Sequence, residues 1–147
     1  MLFREFAELC DRIETISSRL AMIEVLAEIF PSLSVEELPV FVRFMRGRIF
    51  PDWSSEKLGF GPGLLYEALA YVIGKKRQVV ISAVNSSGDT GRVVEELLGK
   101  REQTMFFSED LELLEVHARF LQMAKTSGRK SQQERMRSAQ YLLSNAS

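Results

Sequence analysis

The stretch VVISAV, residues 79–84, decides between an all-helical chain and one that contains a sheet. Its β-branched residues alone would suit a buried strand. A strand needs a partner, however, and nothing else in the 147 residues supplies one, so residues 75–86 are read as helix. Upstream, Pro62 or Gly63 opens a helix carrying Leu64, Leu65, Ala68, Leu69, Val72 and Ile73, which ends at Gly74. Downstream, the turn SSGD leads into a short helix from Thr90 to Leu98, with Val93, Val94, Leu97 and Leu98 facing inward.

Toward the N-terminus the same period recurs. Leu2, Phe6, Leu9 and Ile13 fall on one helical stripe, and Ser17 or Ser18 caps a second helix whose apolar residues are Leu20, Ile23, Leu26, Ala27 and Phe30, closed by Pro31. Ser34 and Glu37 form a capping-box pattern that opens a third helix through Val40, Phe41, Phe44 and Met45, stopping at Gly47. RIFPDWSSEKLGFGPG has no sustained period and reads as an ordered loop, with Trp53 expected in the core. After the irregular GKREQTMFF, Ser108 is expected to cap a long helix through Leu111, Leu114, Ala118, Leu121 and Ala124. The turn TSGRKS leads to a last helix with Met136, Ala139, Leu142 and Leu143. The expected fold is all-α, an irregular multi-helix bundle of about eight helices in one domain spanning residues 1–147.

Composition excludes several classes. At 46% hydrophobic and 27% charged residues the chain is neither disordered nor a membrane protein, and MLFREFAELCDRIE holds neither a signal-peptide core nor a span. Cys10 has no partner for a disulfide, which suits a reducing, cytoplasmic setting. One Cys and one His cannot build a zinc site, and His117, on a helix among apolar neighbours, is expected to pack or lie on the surface rather than act as a base. No GxxxxGK[ST] or GxGxxG phosphate loop is present. No catalytic or metal-ligating residue is therefore assigned.

The net charge of −1 argues against a dedicated nucleic-acid binder, but its distribution does not. Residues 1–40 carry 3 basic and 8 acidic side chains, whereas residues 41–147 carry 16 and 12. From Val116 onward Arg119, Lys125, Arg129, Lys130, Arg135 and Arg137 face one acidic residue, Glu134. A local positive face of this kind is an electrostatic footprint.

Four stretches in order carry a family resemblance: GRIFPDW (Gly47–Trp53), LGFGPGLLYEAL (Leu58–Leu69), SGDTGRVVEELL (Ser87–Leu98) and TSGRKSQQERMRSAQYLLSNAS from Thr126. Over nearly its whole length the chain resembles the N-terminal DNA-binding domain of ATP-dependent DNA ligases, the archaeal ones in particular. The resemblance implies an all-helical domain that grips nicked double-stranded DNA across the minor groove, mostly through phosphates, in replication and repair. The chemistry would belong to adenylation and oligonucleotide-binding domains joined in cis, which use ATP and Mg2+. The family's Lys-x-Asp-Gly adenylation motif follows none of Lys57, Lys75, Lys76, Lys100, Lys125 or Lys130, so no cofactor and no ligation are expected of this chain alone. Where this chain reads SNAS, the family continues into further helices and a K-L-R-[LI]-G turn. That implies a domain incomplete at its C-terminal end, with weaker DNA affinity.

Phosphates are best met at helix N-termini, where unsatisfied N–H groups and the macrodipole favour negative charge. SGRKSQ supplies Gly128 for close backbone approach, Arg129 and Lys130 for charge, Ser131 to cap or to donate, and Gln132 and Arg135 on the first turns. Gly88, Thr90, Gly91 and Arg92 form a second candidate of this type, and Arg48 a third. Gln103, Thr104, Met105, Phe106 and Phe107 look like the short sliding-clamp-binding peptide that archaeal ligases carry, with Gln103, Met105, Phe106 and Phe107 as contacts to a PCNA-type ring. The alternative is that the Phe pair packs on this domain. A rival function of another class, a helical protein-interaction module without DNA affinity, draws on the pI of about 5.9 and the acidic first forty residues.

Overall fold

A computed structural model describes residues 1–100, 110–128 and 130–146. Eight α-helices occur among them: α1 (Phe3–Glu14), α2 (Arg19–Ile29), α3 (Glu37–Met45), α4 (Pro62–Val72), α5 (Arg77–Ser87), α6 (Thr90–Gly99), α7 (Leu113–Lys125) and α8 (Ser131–Asn145). A 3₁₀ turn, Phe30–Ser32, follows α2. Extended pairing among the described residues amounts to one bridge, Leu2 with Glu112, so the chain is all-α as expected. VVISAV is helical within α5, burying Val80 and Val84 four residues apart.

The chain divides into two compact units. The first comprises Met1–Glu56 and Asp110–Phe120. Its core is Phe6, Leu9, Val25, Val40, Phe41 and Leu113, with Phe6 meeting Phe41 edge-on at 5.6 Å between ring centres, a geometry that aromatic quadrupoles favour. Ser34 and Glu37 make the reciprocal capping box: Glu37 N–H donates to Ser34 Oγ at 3.1 Å, and Ser34 N–H to Glu37 Oε2 at 2.9 Å. Glu37 Oε1 receives the Met1 ammonium.

That cluster carries a first prediction. Ser34→Ala should cost about 1 kcal/mol, the usual loss for a cap. The ammonium and the Ser34 groups hold the Glu37 carboxyl below its ordinary 4.5, and Glu37 in turn raises the Met1 amine above 8.0. The carboxylate's contribution is therefore complete above pH 4.5 and lost as pH falls through its depressed folded value. The amine's is complete below pH 8.0 and lost as pH rises through its raised value. In urea titrations across pH, Glu37→Gln should flatten both limbs, and two unchanged limbs would refute the pairing.

Three expectations for the first unit need correction. On α2, Leu20 and Ile23 are 72% and 54% exposed and Phe30 is exposed as well, whereas Val25 is buried and Met22, Leu26 and Ile29 half-buried. Apolar residues lie all round this helix, so its pattern did not single out the inward face; packing did. Trp53, expected in the core, is 88% exposed. It sits in a turn closed by Ser54 N–H to the Pro51 carbonyl at 2.9 Å, and Ile49, Phe50, Leu58 and Phe60 are the half-buried large apolar residues of that stretch instead.

The third correction concerns α7, which begins at Leu113 rather than before Leu111; Ser108, its expected cap, lies outside the described residues. Phe3 N–H donates to the Leu111 carbonyl at 2.7 Å and Leu113 N–H to the Met1 carbonyl at 3.0 Å. These extended-chain bonds compete with helix at that point. Leu113, Val116 and Met123 are consequently the helix's buried residues, and Ala118 is exposed.

The second unit comprises Lys57–Glu109 and Leu121–Ser147. α4 is its centre and packs on α8 and on α5, which packs on α6. Ala68 and Ala70 on α4, and Ser138 and Ala139 on α8, are small and buried, which lets backbones approach. Leu69, Val80, Val84 and Val93 fill the core beside them. Glycines at positive φ, Gly74 at 64° and Gly88 at 73°, stop α4 and α5, a conformation that penalises other residues.

Candidate nucleic-acid interface

Charge separates along the boundary between the units. The first holds seven Lys or Arg against thirteen Asp or Glu, a net −6; the second holds twelve against seven, a net +5. A polyanion is attracted to the second and repelled by the first. Every expected DNA-contacting residue except Arg48 belongs to the basic unit.

In the basic unit the turn before α8 is entered through a left-handed glycine, and the first turn of the helix carries one acidic residue, Glu134. Gly128 stands at φ 93°, and Ser131 N–H donates to the Gly128 carbonyl at 3.1 Å. Lys130, exposed, is the N-cap residue, and its side chain, a donor without an acceptor, does not cap the first-turn N–H groups. Ser131 is the first helical residue and does not cap; Gln132 is exposed. Arg129 lies outside the described residues.

Arg135 departs from the expected role. Its Nε donates to the Met123 carbonyl at 3.0 Å and its Nη2 to the Thr126 carbonyl at 2.6 Å. The guanidinium also lies over Gly59, where a Cβ would come within 2.7 Å of Cζ. Arg135 is thus a clasp at the C-terminal end of α7, where a cation suits the last carbonyls, rather than a free charge for phosphate.

At α6 the N-terminus is already answered: Asp89 Oδ1 accepts from Arg92 N–H at 3.1 Å. Arg92 pairs with Glu96 at 3.2 Å, Gly91 is exposed and Thr90 half-buried. A carboxylate in place of the anion makes Gly88 to Arg92 the weaker of the two turns. In the acidic unit, Arg48 pairs with Asp52 at 2.9 Å, and Arg46 meets the same carboxylate at 3.3 Å. Gln103, Met105, Phe106 and Phe107 lie outside the described residues.

Lys75, Lys76 and Arg77 form a further candidate that the sequence reading did not single out. All three are exposed, none has an acidic partner among the described residues, and they lead into α5, whose N-cap Lys76 makes no side-chain cap and whose first turn has no acidic residue. Arg77 Nη2 lies 3.4 Å from where a Cβ on Gly63 would stand, over the first turn of α4. Exposed Tyr71 precedes Lys75 by four residues. Three consecutive cations directly after a helix-ending glycine were the available signal.

His117 is half-buried on α7. Its ring packs edge-on against Phe44 at 5.9 Å, and Arg43 Nη2 lies 3.4 Å from Nε2. Burial first, and the Arg43 charge second, hold the imidazole below its ordinary value, partly opposed by a hydrogen bond to the Ile49 backbone. Among the described residues no helix is long and apolar enough to cross a membrane.

Comparison with known proteins follows the same line. The family profile described as DNA ligase N terminus matches residues 2–147. A DNA ligase of Methanocorpusculum labreanum is 75% identical over 146 residues, covering 99% of this chain and 27% of the relative. One of Methanoculleus marisnigri is 53% identical over 146 residues, with the same coverage, and one of Archaeoglobus fulgidus is 38% identical over 137 residues, covering 92% of this chain and 25% of the relative. The chain thus spans about a quarter of the length of these relatives.

Proposed function

Because the chain belongs to the DNA ligase N terminus family, we propose that it is the part of an ATP-dependent DNA ligase that holds nicked duplex DNA while other domains of the same polypeptide seal the nick. Binding is independent of base sequence and works through phosphates, which position a protein on the duplex without reading it. The observation that supports this reading is the N-terminus of α8, entered through Gly128 and an N-cap Lys130 whose side chain does not cap it, in a unit of net charge +5. Lys75, Lys76 and Arg77 extend the same chemistry to α5. ATP and Mg2+ belong to the parts of the ligase that carry the adenylation motif, and the chain alone binds without sealing. Gln103, Met105, Phe106 and Phe107 add a contact to a PCNA-type sliding clamp, tested by loss of clamp binding when both Phe residues become Ala.

Fluorescence anisotropy with two nicked duplexes of unrelated sequence, titrated from low to moderate salt, tests the reading. Both duplexes should bind alike and weaken together as salt rises, since each neutralised phosphate releases counterions. Changing Arg129 and Lys130 to Ala should flatten the slope of log affinity against log salt by up to about 1.8, the value for two contacts. A slope equal to that of the unaltered chain would refute the assignment to this turn. No binding to either duplex at low salt would refute the function.

A further inference from the structure

We infer that the exposed face of α2 is a docking surface for an amphipathic helix of a partner protein, one whose apolar ridge is flanked by Lys and Arg. Leu20, Ile23, Ala27 and Phe30 recur at spacings of three, four and three, which places them on one stripe, and all four are exposed. The buried residue of α2, Val25, points the opposite way, so the stripe is not a frayed edge of the core. At the far end the Phe30 ring meets Phe41 edge-on at 5.9 Å, and α3, which carries Phe41, shows exposed Leu38 and Val42 one turn apart. An apolar stripe over two turns and more, left in water, is the usual mark of a surface that another macromolecule covers. Its shape is that of a helix-on-helix contact, with anchors at i, i+3 and i+7.

Charge identifies the occupant. Glu24 and Glu28, both exposed, directly follow Ile23 and Ala27 and line one side of the stripe, and the unit as a whole carries −6. DNA and an anionic lipid surface are repelled by it. A second copy would oppose Glu24 and Glu28 with their own like charges. A basic rim around an apolar ridge satisfies both halves of the surface, the ridge by burial and the rim by pairing with the two carboxylates. This surface is independent of the DNA-holding role assigned to the second unit.

The test uses the whole chain and two synthetic helical peptides that share a Leu ridge, one flanked by Lys and one by Glu, titrated by calorimetry. The Lys peptide should bind one to one, at least about tenfold more tightly than the Glu peptide. Leu20→Ser with Ile23→Ser, both at exposed positions, should weaken it about tenfold or more with unchanged circular dichroism. Glu24→Lys with Glu28→Lys, which leaves the apolar residues intact, should invert the preference to the Glu peptide. Equal binding of both peptides, or Lys-peptide affinity indifferent to either double variant, overturns the inference. So does self-association that the Ser variant abolishes, which would assign the face to a second copy. Loss of nicked-duplex affinity in the Ser variant would also overturn it.

Discussion

Replacing Lys75, Lys76 and Arg77 together with alanine is expected to lower affinity for nicked duplex by up to about two to three decades near 0.1 M salt, and to reduce the salt slope by up to about 2.7, the value for three phosphate contacts. The same replacement should leave folding stability unchanged or raise it by up to about 1 kcal/mol. Cations at the start of a helix oppose its macrodipole, whose positive end already sits there. Lys76 and Arg77 stand at the start of α5, and Arg77 also lies over the first turn of α4, so these two cations are unfavourably placed in the unliganded protein; Lys75, just past the C-terminal end of α4, offsets part of that cost. A bound phosphate would offset these repulsions, since it attracts both the cations and the helix N-terminus. Anisotropy and urea unfolding on one sample therefore give opposite outcomes: weaker binding and equal or greater stability. Unchanged binding with a loss of stability would make the cluster structural.

That cluster also marks the limit of what was legible in the site. SGRKSQ stood out as a candidate because Gly, two cations and Ser directly precede an apolar-periodic helix, a pattern with a physical meaning in one dimension. KKR has the same meaning, but only if VVISAV is already known to be a helix with its start at Arg77. Arg135 shows a different limit. Its distance from the helix start suits phosphate equally well, and only the fold shows that the carbonyls of Met123 and Thr126 and the bare backbone of Gly59 converge on it. Asp89, four residues before Val93, could have been read as a cap competing with an anion at Gly88 to Arg92, since Asp is a preferred cap.

In the fold, whatever local chemistry decides was legible. Ser34 with Glu37, Gly74, Gly88 and Pro62 set helix ends by caps, left-handed glycines and a missing N–H, and each acts within a few residues. Choices made by packing were not. The inward face of α2 depends on what α1 and α3 present to a helix apolar on nearly every side, and the start of α7 depends on Leu2 and Phe3, more than a hundred residues earlier in the chain. Trp53 illustrates the same point. A large aromatic is usually buried, but the Pro51–Ser54 turn, with Asp52 drawn to Arg46 and Arg48, presents it to solvent.

Arg135→Ala is expected to produce the largest loss of stability among these variants, about 2 to 3 kcal/mol. Two charge-assisted hydrogen bonds disappear, each worth roughly 1.5 to 3 kcal/mol in such settings. The total is smaller than the sum because carbonyls at the end of a helix regain water. Arg135→Lys should recover only part, since an ammonium cannot reach two carbonyls in the fixed fork of a guanidinium. Gly59→Ala should mimic the loss from the other side: the residue stands at φ 64°, which costs a side chain about 1 kcal/mol, and the new Cβ would displace the guanidinium it now touches. DNA binding separates this clasp from a phosphate contact. If Arg135 only holds α8 against the end of α7, its variants shift the urea midpoint while the salt slope stays as it was. If it also contacts phosphate, the slope falls by about 0.9. An unmoved urea midpoint with a reduced slope would return Arg135 to the set of DNA-contacting residues.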